Sequence, residues 1–372
     1  MPRTKVVKDK VIKDKVVKDK VVKDKVIKDK VIKDKVVKDA KVDFKPLIID
    51  TLDTMAKQAL KEMNTFKARA YTKVIGQIKN ITVPIYTIED IDNLNIEGIG
   101  KSIKEIIVEV IKTGAHEGAN NIKNNPETSL FDNLTKIYGV GPVKAKDLMA
   151  NKTHNIKSIE DLRAAALTDA KLLNDKQRIG LKHFEDIQKR IPRTEIIDHE
   201  VLIKNAFNNE HSEFITTIVG SYRRGLETSG DIDVLVTIPA NTSYNEKDFE
   251  KNILTHFKNA ITSMTTLGYI TDILALGPKK CMAFVKLDAS KPARRLDILY
   301  TPPSEYPYAL LYFTGSDKFN IKFRRNTLEQ GYSLSEHGLK KVKEDAKALT
   351  DITTEKDLFD FFNITYVKPE NR

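Results

Sequence analysis

The period of apolar positions changes along this chain. Between residues 43 and 116 apolar side chains recur every three or four positions, through FKPLIIDTLDTMAKQALKEMNTF, ARAYTKVIGQI and SIKEIIVEVIKTG. Such spacing gathers them on one side of a helix, so three helices are predicted. Residues 127–190 keep the helical texture, with Ser158 before IEDLRAAA as an N-cap. From about Ile191 the apolar runs become short and β-branched: FITTIVGSY, DIDVLVTI, CMAFVKLD and RRLDILY. These are predicted strands, with a helix at DFEKNILTHFKNAI between them. A smaller mixed segment runs from about 301 to 372. Helices followed by mixed strands and helices predict an α+β multidomain fold.

Residues 5–39 follow neither period. They are seven tandem copies of Lys-Val-[Val/Ile]-Lys-Asp. Five residues advance a helix about 140° past a full turn, so the valines sweep around the axis. On a strand, an odd repeat sends successive copies to opposite faces. No constant apolar side forms, and residues 1–42 are expected to be a disordered tail. Its role is either to hold duplex phosphates by counterion release or nothing beyond repeat slippage.

Charge sharpens this division. The chain carries a formal +11, of which residues 1–39 supply +8 and the remaining 333 residues +3. A basic chain points toward nucleic acid, but here most of the polycation is tail. At 372 residues, 40% hydrophobic and 31% charged, the composition suits a soluble protein of two to four small domains. No apolar run approaches the roughly 20 residues that span a bilayer, and MPRTKVVKDK lacks the apolar core of a secretory signal. A single cysteine, Cys281, excludes an internal disulfide framework and a multi-cysteine zinc site. A reducing intracellular setting is therefore expected. The seven histidines are scattered, with no H-E-x-x-H pair.

Two segments share one design: Leu94-Asn95-Ile96-Glu97-Gly98-Ile99-Gly100-Lys101 and Ile137-Tyr138-Gly139-Val140-Gly141-Pro142-Val143-Lys144. Each sets apolar-x-Gly-apolar-Gly between helical runs. The glycines permit a tight turn and close backbone approach, and the amides opening the next helix can face a phosphate. This is a helix-hairpin-helix pattern for gripping DNA backbone without reading bases.

The strongest local signal is VGSYRRGLETSGDIDVLV, residues 219–236. On a strand, Asp231 and Asp233 project to one face. Two carboxylates so close repel unless a cation lies between them, and hard oxygen ligands suit Mg²⁺. Gly220 and Ser221 form a turn able to cradle a triphosphate, with Arg224 as a charge clamp. A further candidate strand brings a third acid, Asp297. Three such acids can gather two metals for in-line phosphoryl displacement, Asp231 and Asp233 serving both and Asp297 the one at the attacking hydroxyl.

GSYRRGLETSGDIDVLV, RRLDILY, LLYFTGSDKFNIKFRR, NDKQRIGLKHFEDIQKRIPR and EKDLFDFFNITYVKPENR, in this order, resemble the family X DNA polymerases, DNA polymerase beta in particular. The resemblance runs from about Phe44 to Arg372. It implies a DNA-end-binding, lyase-like domain at 43–125, a duplex-binding domain at 126–190, a catalytic palm at 191–298 and a nucleotide-selection domain at 299–372. It implies triphosphate contacts at Arg178, Gly220, Ser221, Arg224, Ser229 and Gly230. Tyr312, Phe313 and Gly315 match the segment that favours deoxynucleotides, and Asp317 and Asn320 match contacts to the incoming base. Arg295 and Arg324 match positions on the DNA side, beside the hairpin residues Gly98, Gly100, Lys101, Gly139, Gly141 and Lys144. Lys67 and Tyr71 match a 5′-phosphate pocket. Two Mg²⁺ ions, replaceable by Mn²⁺, and monovalent cations at the hairpins are implied cofactors. Gapped or nicked duplex DNA and dNTPs are implied partners of a monomer, in the nucleus or at a site of viral DNA replication.

The chain departs from the family in places. Ile106 occupies the Schiff-base lysine position, and isoleucine has no amine to attack an aldehydic sugar. Ser102 replaces a neighbouring lysine, Leu299 an arginine tied to domain closure and Ile321 a lysine that packs on the template base. The expected activity is gap-filling synthesis without the usual lyase. Template-independent end addition, an end-binding scaffold and an RNA-directed nucleotidyltransferase are the alternatives.

Overall fold

The computed structural model describes residues 42–239 and 246–372, so the Lys-Val repeats and the tail expected there lie outside the described residues. The described residues form two compact units, one of 42–134 with 142–159, the other of 135–141 with 160 onward.

The first unit is helical: α1 Lys45–Lys61, α2 Thr65–Lys79, α3 Ile88–Asn93, α4 Lys101–Thr113, α5 Glu117–Lys123, α6 Pro126–Lys136 and α7 Pro142–Met149. Ile48 and Leu52 of α1, Val74 and Ile78 of α2, and Ile103, Ile106, Ile107 and Val110 of α4 close one apolar core. Each such side chain removed from water contributes about 1.5–3 kcal/mol. The ends are set locally. Asn64 accepts a hydrogen bond from Lys67 N at 3.0 Å, Thr87 and Asp90 form a capping box, and Gly114 ends α4 at φ 74°.

After residues 135–141, the second unit continues through α8 Ile159–Thr168 and α9 Asp175–Lys182, then β1 Ile191–Pro192 and α10 Arg193–Glu210. Its centre is a five-stranded sheet in the order β2-β4-β7-β6-β5. The strands are β2 Ile215–Ile218, β4 Ile232–Thr237, β5 Ile270–Leu276, β6 Lys280–Val285 and β7 Arg294–Tyr300, with a two-residue β3 Thr228–Ser229 paired to β1. Only β4 and β7 run parallel; the other pairs are antiparallel. One face packs Val234, Val236, Leu296 and Ile298 against Ile203 and Phe207 of α10, and against Phe257 and Ile261 of a helix α12, Glu246–Thr266. On the other face Leu235 and Leu299 meet Ala309 and Phe313 of α13, Tyr306–Thr314. The chain closes with α14 Asp317–Glu329, the hairpin β8 Tyr332–Ser335 and β9 Gly338–Lys341, and α15 Glu355–Phe361, packed on Phe323, Tyr332, Phe359 and Phe362. This is the expected α+β architecture.

Three details differ from the sequence pattern. FITTIVGSY does not stay extended: the strand ends at Ile218, and Gly220–Arg223 form one helical turn, here called α11, because Gly220 adopts φ 59°. Asp231 lies on a bend just before β4 rather than within it. Strand β5 was not expected. Its register shifts twice, between Ile270 and Asp272 and between Ile273 and Ala275, which breaks the period-two alternation.

Behind the sheet, His199 is fully buried, with Nδ1 2.8 Å from the Tyr269 hydroxyl and Nε2 3.8 Å from Glu195 Oε1. Arg294 holds that carboxylate through bonds of 2.6 and 2.9 Å. Burial pushes the His199 imidazole from 6.5 down to about 4. The unfolded chain therefore binds a proton here that the native state refuses, and stability falls as pH drops from 6.5 toward 4. The loss is on the order of 3 kcal/mol. His199→Gln is expected to flatten that part of the stability–pH curve, measured by urea unfolding at successive pH values; an unchanged slope refutes it.

Candidate active site

The parallel register of β4 and β7 places Asp233 directly beside Asp297. Strand neighbours lie about 4.8 Å apart, and both residues alternate with buried Ile232, Val234, Leu296 and Ile298, so both carboxylates point to the face away from the α10–α12 core. Burial, then the Asp297 charge, pushes the Asp233 carboxyl up to about 6, against the pull of Arg224 and Lys280. Burial also raises Asp297, opposed by Arg295 and Lys280. Asp297 Oδ1 is buried with no hydrogen-bond partner.

Asp231 takes a different partner. Its carboxylate is ion-paired with the Arg295 guanidinium, whose Nε also lies 4.0 Å from Asp297 Oδ2. Among the described residues, no three His, Cys, Asp or Glu side chains converge in a metal-holding geometry. The expected three-acid cluster is thus two neighbouring acids plus a third turned to an arginine. Arg295 stands two residues from Asp297 on the same strand face, close enough to neutralise the local negative charge. Its guanidinium is paired with these acids. A buried carboxylate oxygen without a partner, in an all-oxygen donor set, nonetheless fits a hard divalent cation such as Mg²⁺.

The turn α11 brings the phosphate-cradle candidates to these acids. A Cβ on Gly220 would lie 2.3 Å from Asp233 Oδ2, so the close approach needs glycine. Ser221 Oγ donates to Ser229 Oγ at 2.8 Å. Arg224 donates to Thr314 O at 2.6 Å, and its charge is felt by both Asp233 and Asp317. Gly230 continues from Ser229. These five residues come together. Arg178 bonds elsewhere: it donates to Ala166 O at 2.7 Å and Asp169 O at 2.9 Å, satisfying carbonyls at the end of α8.

The nucleotide-selection candidates flank the same turn. Tyr312 and Phe313 meet edge to face at 5.1 Å, and Asn320 Nδ2 donates to Tyr312 O at 2.7 Å. Gly315 adopts φ 67°, and a Cβ there would lie 3.2 Å from Arg224 Nη1. Asp317 opens α14, and Arg324 is exposed on the same helix, four residues after Asn320.

Both hairpin turns have the expected form. Gly98 and Gly139 take φ 94° and 81°, while Gly100 caps α4 and Gly141 precedes α7. Lys101 opens α4 and Lys144 lies in the first turn of α7. In the second hairpin, Gln177 Nε2 donates to Gly139 O at 3.0 Å. Lys67 is exposed, whereas Tyr71 is a buried core residue whose hydroxyl meets Ser102. Ile106 is 6% exposed in that core, and Lys104 is paired with Asp92 at 2.6 Å.

Two groups escaped the sequence pattern. Arg190 donates to Thr228 O at 2.7 Å and reaches within 3.2 Å of a Cβ built on Gly230. The β1–β3 pairing brings it there, and nothing local in its basic run signals this. Glu355 is buried between Arg223, at 3.0 Å, and Arg372, at 2.6 Å. Burial alone would raise its carboxyl, but the two arginines hold it below the usual range. Arg223 also donates to Thr314 Oγ1 at 2.6 Å, so one residue ties α11 to both α13 and α15.

In metal-free buffer, Asp297→Asn is expected to lower the Asp233 pKa from about 6 only part of the way, because burial, the larger cause, remains while one neighbouring charge disappears. Carboxylate ¹³C shifts followed with pH measure this. A value that stays near 6 means the two acids do not interact.

Four family models match in order: a helix-hairpin-helix domain over residues 43–116, the fingers domain of DNA polymerase lambda over 132–188, the DNA polymerase beta palm over 190–303 and the DNA polymerase beta thumb over 309–372. DNA polymerase lambda of Rattus norvegicus is 30% identical over 340 residues, covering 87% of this chain and 56% of its own length. DNA polymerase lambda of Arabidopsis thaliana is 28% identical, covering 82% and 57%. DNA nucleotidylexotransferase of Xenopus laevis is 25% identical, covering 89% and 68%. This chain thus spans little more than half the length of the lambda polymerases it matches. No helix among its described residues is long and apolar enough to cross a membrane. With the paired acids, the glycine turn and both hairpins matched in one order by these models, the chain belongs to the family X DNA polymerases.

Proposed function

We propose that this chain is a template-directed DNA polymerase that fills short gaps during base excision repair, extending a primer 3′-hydroxyl with dNTPs. The observation that carries this reading is the Asp233–Asp297 register pair beside the Gly220–Ser221 turn, with Arg224 reaching to Thr314. Asp231, Asp233 and Asp297 would hold two Mg²⁺ ions, which supply charge stabilisation to both the attacking and the leaving oxygen. The chain's own groups do the rest. Asp297 Oδ1, buried and without a hydrogen-bond partner, receives the hydroxyl proton. Ser221, Arg224, Ser229 and Gly230 orient the triphosphate, and Arg190 adds a cation at Gly230. Tyr312, Phe313 and Gly315 crowd the sugar and favour deoxynucleotides. Asp317 and Asn320 face the base, and Arg324 the template. The two hairpins hold gapped or nicked duplex through backbone amides, with monovalent cations at the turns. The four sections read from the sequence are assigned to end binding, duplex binding, catalysis and nucleotide selection. The enzyme works as a monomer in a reducing intracellular compartment.

The β5–β6 connection supports a templated reaction. Gly277 N donates to Lys280 O at 2.8 Å, so the strands join through a tight turn with no insertion to cover a template. On one-nucleotide-gapped DNA, Mg²⁺-dependent incorporation is expected to exceed addition to single strands at least 100-fold. Asp297→Ala should lower it by a factor of about 10³ or more while DNA affinity stays within about twofold. No incorporation by the wild type, or equal addition to single strands, refutes the reading.

Ile106 is core, so the end-binding section has no amine at the family's lyase position. Borohydride treatment on an incised abasic site is expected to trap no adduct. A trapped adduct would point to Lys67, Lys101 or Lys104 as nucleophile.

A further inference from the structure

The first compact unit contains a cavity of about 630 Å³ that the catalytic reading leaves unused. It opens between the end of α1, the start of α6, and α7 with the loop that follows. Its floor is apolar, with Leu130, Met149 and Ile156. Its polar lining is dominated by three lysines, Lys61, Lys146 and Lys157, against one acid, Glu127, whose side chain is 75% exposed.

Two of these lysines are poorly matched by the protein itself. The Lys61 side chain is only 17% exposed, yet its ammonium has just two long contacts, 3.4 Å to Glu127 Oε2 and 3.4 Å to Thr128 Oγ1. Charge-assisted bonds to carboxylate are ordinarily near 2.8 Å. Lys146 is half-buried; its carbonyl accepts from Ala150 N at 2.9 Å, but its ammonium makes no hydrogen bond or ion pair with a described residue. It is also separated in direction from the hairpin. Lys144 and Lys146 are two positions apart on α7, roughly 200° around the helix, so a phosphate at the hairpin turn and one at Lys146 are different phosphates. None of the lining residues is aromatic, so the cavity offers no platform for a nucleobase.

We propose that this cavity takes a backbone phosphate of a DNA strand, a contact separate from both hairpin turns. The assignment rests on the DNA-polymerase reading for the identity of the strand. The chemistry itself, ammonium groups lining one cavity, would also accept pyrophosphate or a free nucleotide, and the experiment separates these sources.

Binding of the full chain to fluorescein-labelled single-stranded and one-nucleotide-gapped DNA is followed by anisotropy across a salt series. Each phosphate of a single strand that is no longer neutralised reduces the slope of log K against log salt by about 0.7. The combined Lys61→Gln, Lys146→Gln and Lys157→Gln variant loses the one phosphate the cavity holds and is therefore expected to have a slope shallower by about 0.7, with an unaltered melting temperature. Lys79→Gln, Lys112→Gln and Lys152→Gln together, three exposed lysines outside the cavity, remove the same charge and are expected to leave the slope in place. An equal change in both triple variants, or none in the first, overturns the proposal. Loss of pyrophosphate binding with an unchanged DNA slope overturns the strand assignment in favour of a free phosphate. Extension of the gapped DNA is measured in the same samples. A wild type that binds and extends DNA while the cavity variant keeps its slope removes only the cavity; a wild type that binds no DNA removes the polymerase reading as well.

Discussion

Two like charges held side by side dominate this molecule. Parallel pairing of β4 and β7 puts Asp233 and Asp297 in register, and partial burial denies them the screening of bulk water. Such a pair is tolerated only when cations answer it. Arg224, Lys280 and Arg295 do so from three different elements, and Arg295 extends the answer to Asp231. The site is therefore a balance of charges in which each carboxylate is answered by side-chain cations.

That balance depends on packing behind the sheet. Leu296 and Ile298 are pinned against α10 and α12, which leaves Asp297 and Arg295 no choice of face. The Arg294–Glu195–His199–Tyr269 network closes the same strand from behind. In front, Arg223 bonds to Thr314 and Glu355, and the neighbouring Arg224 to Thr314 O. The Gly220–Ser221 turn and the YFTGS segment are thus positioned by consecutive arginines. Displacing either helix would move the cradle relative to the acids.

Local patterns carried much of this. The alternation in RRLDILY already put Asp297 opposite Leu296 and Ile298, and the glycines of both hairpins were readable because only glycine suits positive φ there. The β5 strand was hidden by its two register shifts, and the bend at Asp231 by the assumption that DIDVLVTI is extended throughout. The role of Arg178 at the carbonyls of α8 had no local signal either, since its partners lie nine and twelve residues away.

By itself, the sequence determined the α+β order, the glycine turns, the acids and the absence of an amine at Ile106, because each depends on residue type and near-neighbour spacing. Only the tertiary structure decided which charges meet. Arg295 claims Asp231, Arg190 reaches Gly230, and Glu355 joins Arg223 to Arg372. Those pairings follow from strand register and helix packing across 17 to 132 residues of chain, distances over which no side-chain periodicity persists.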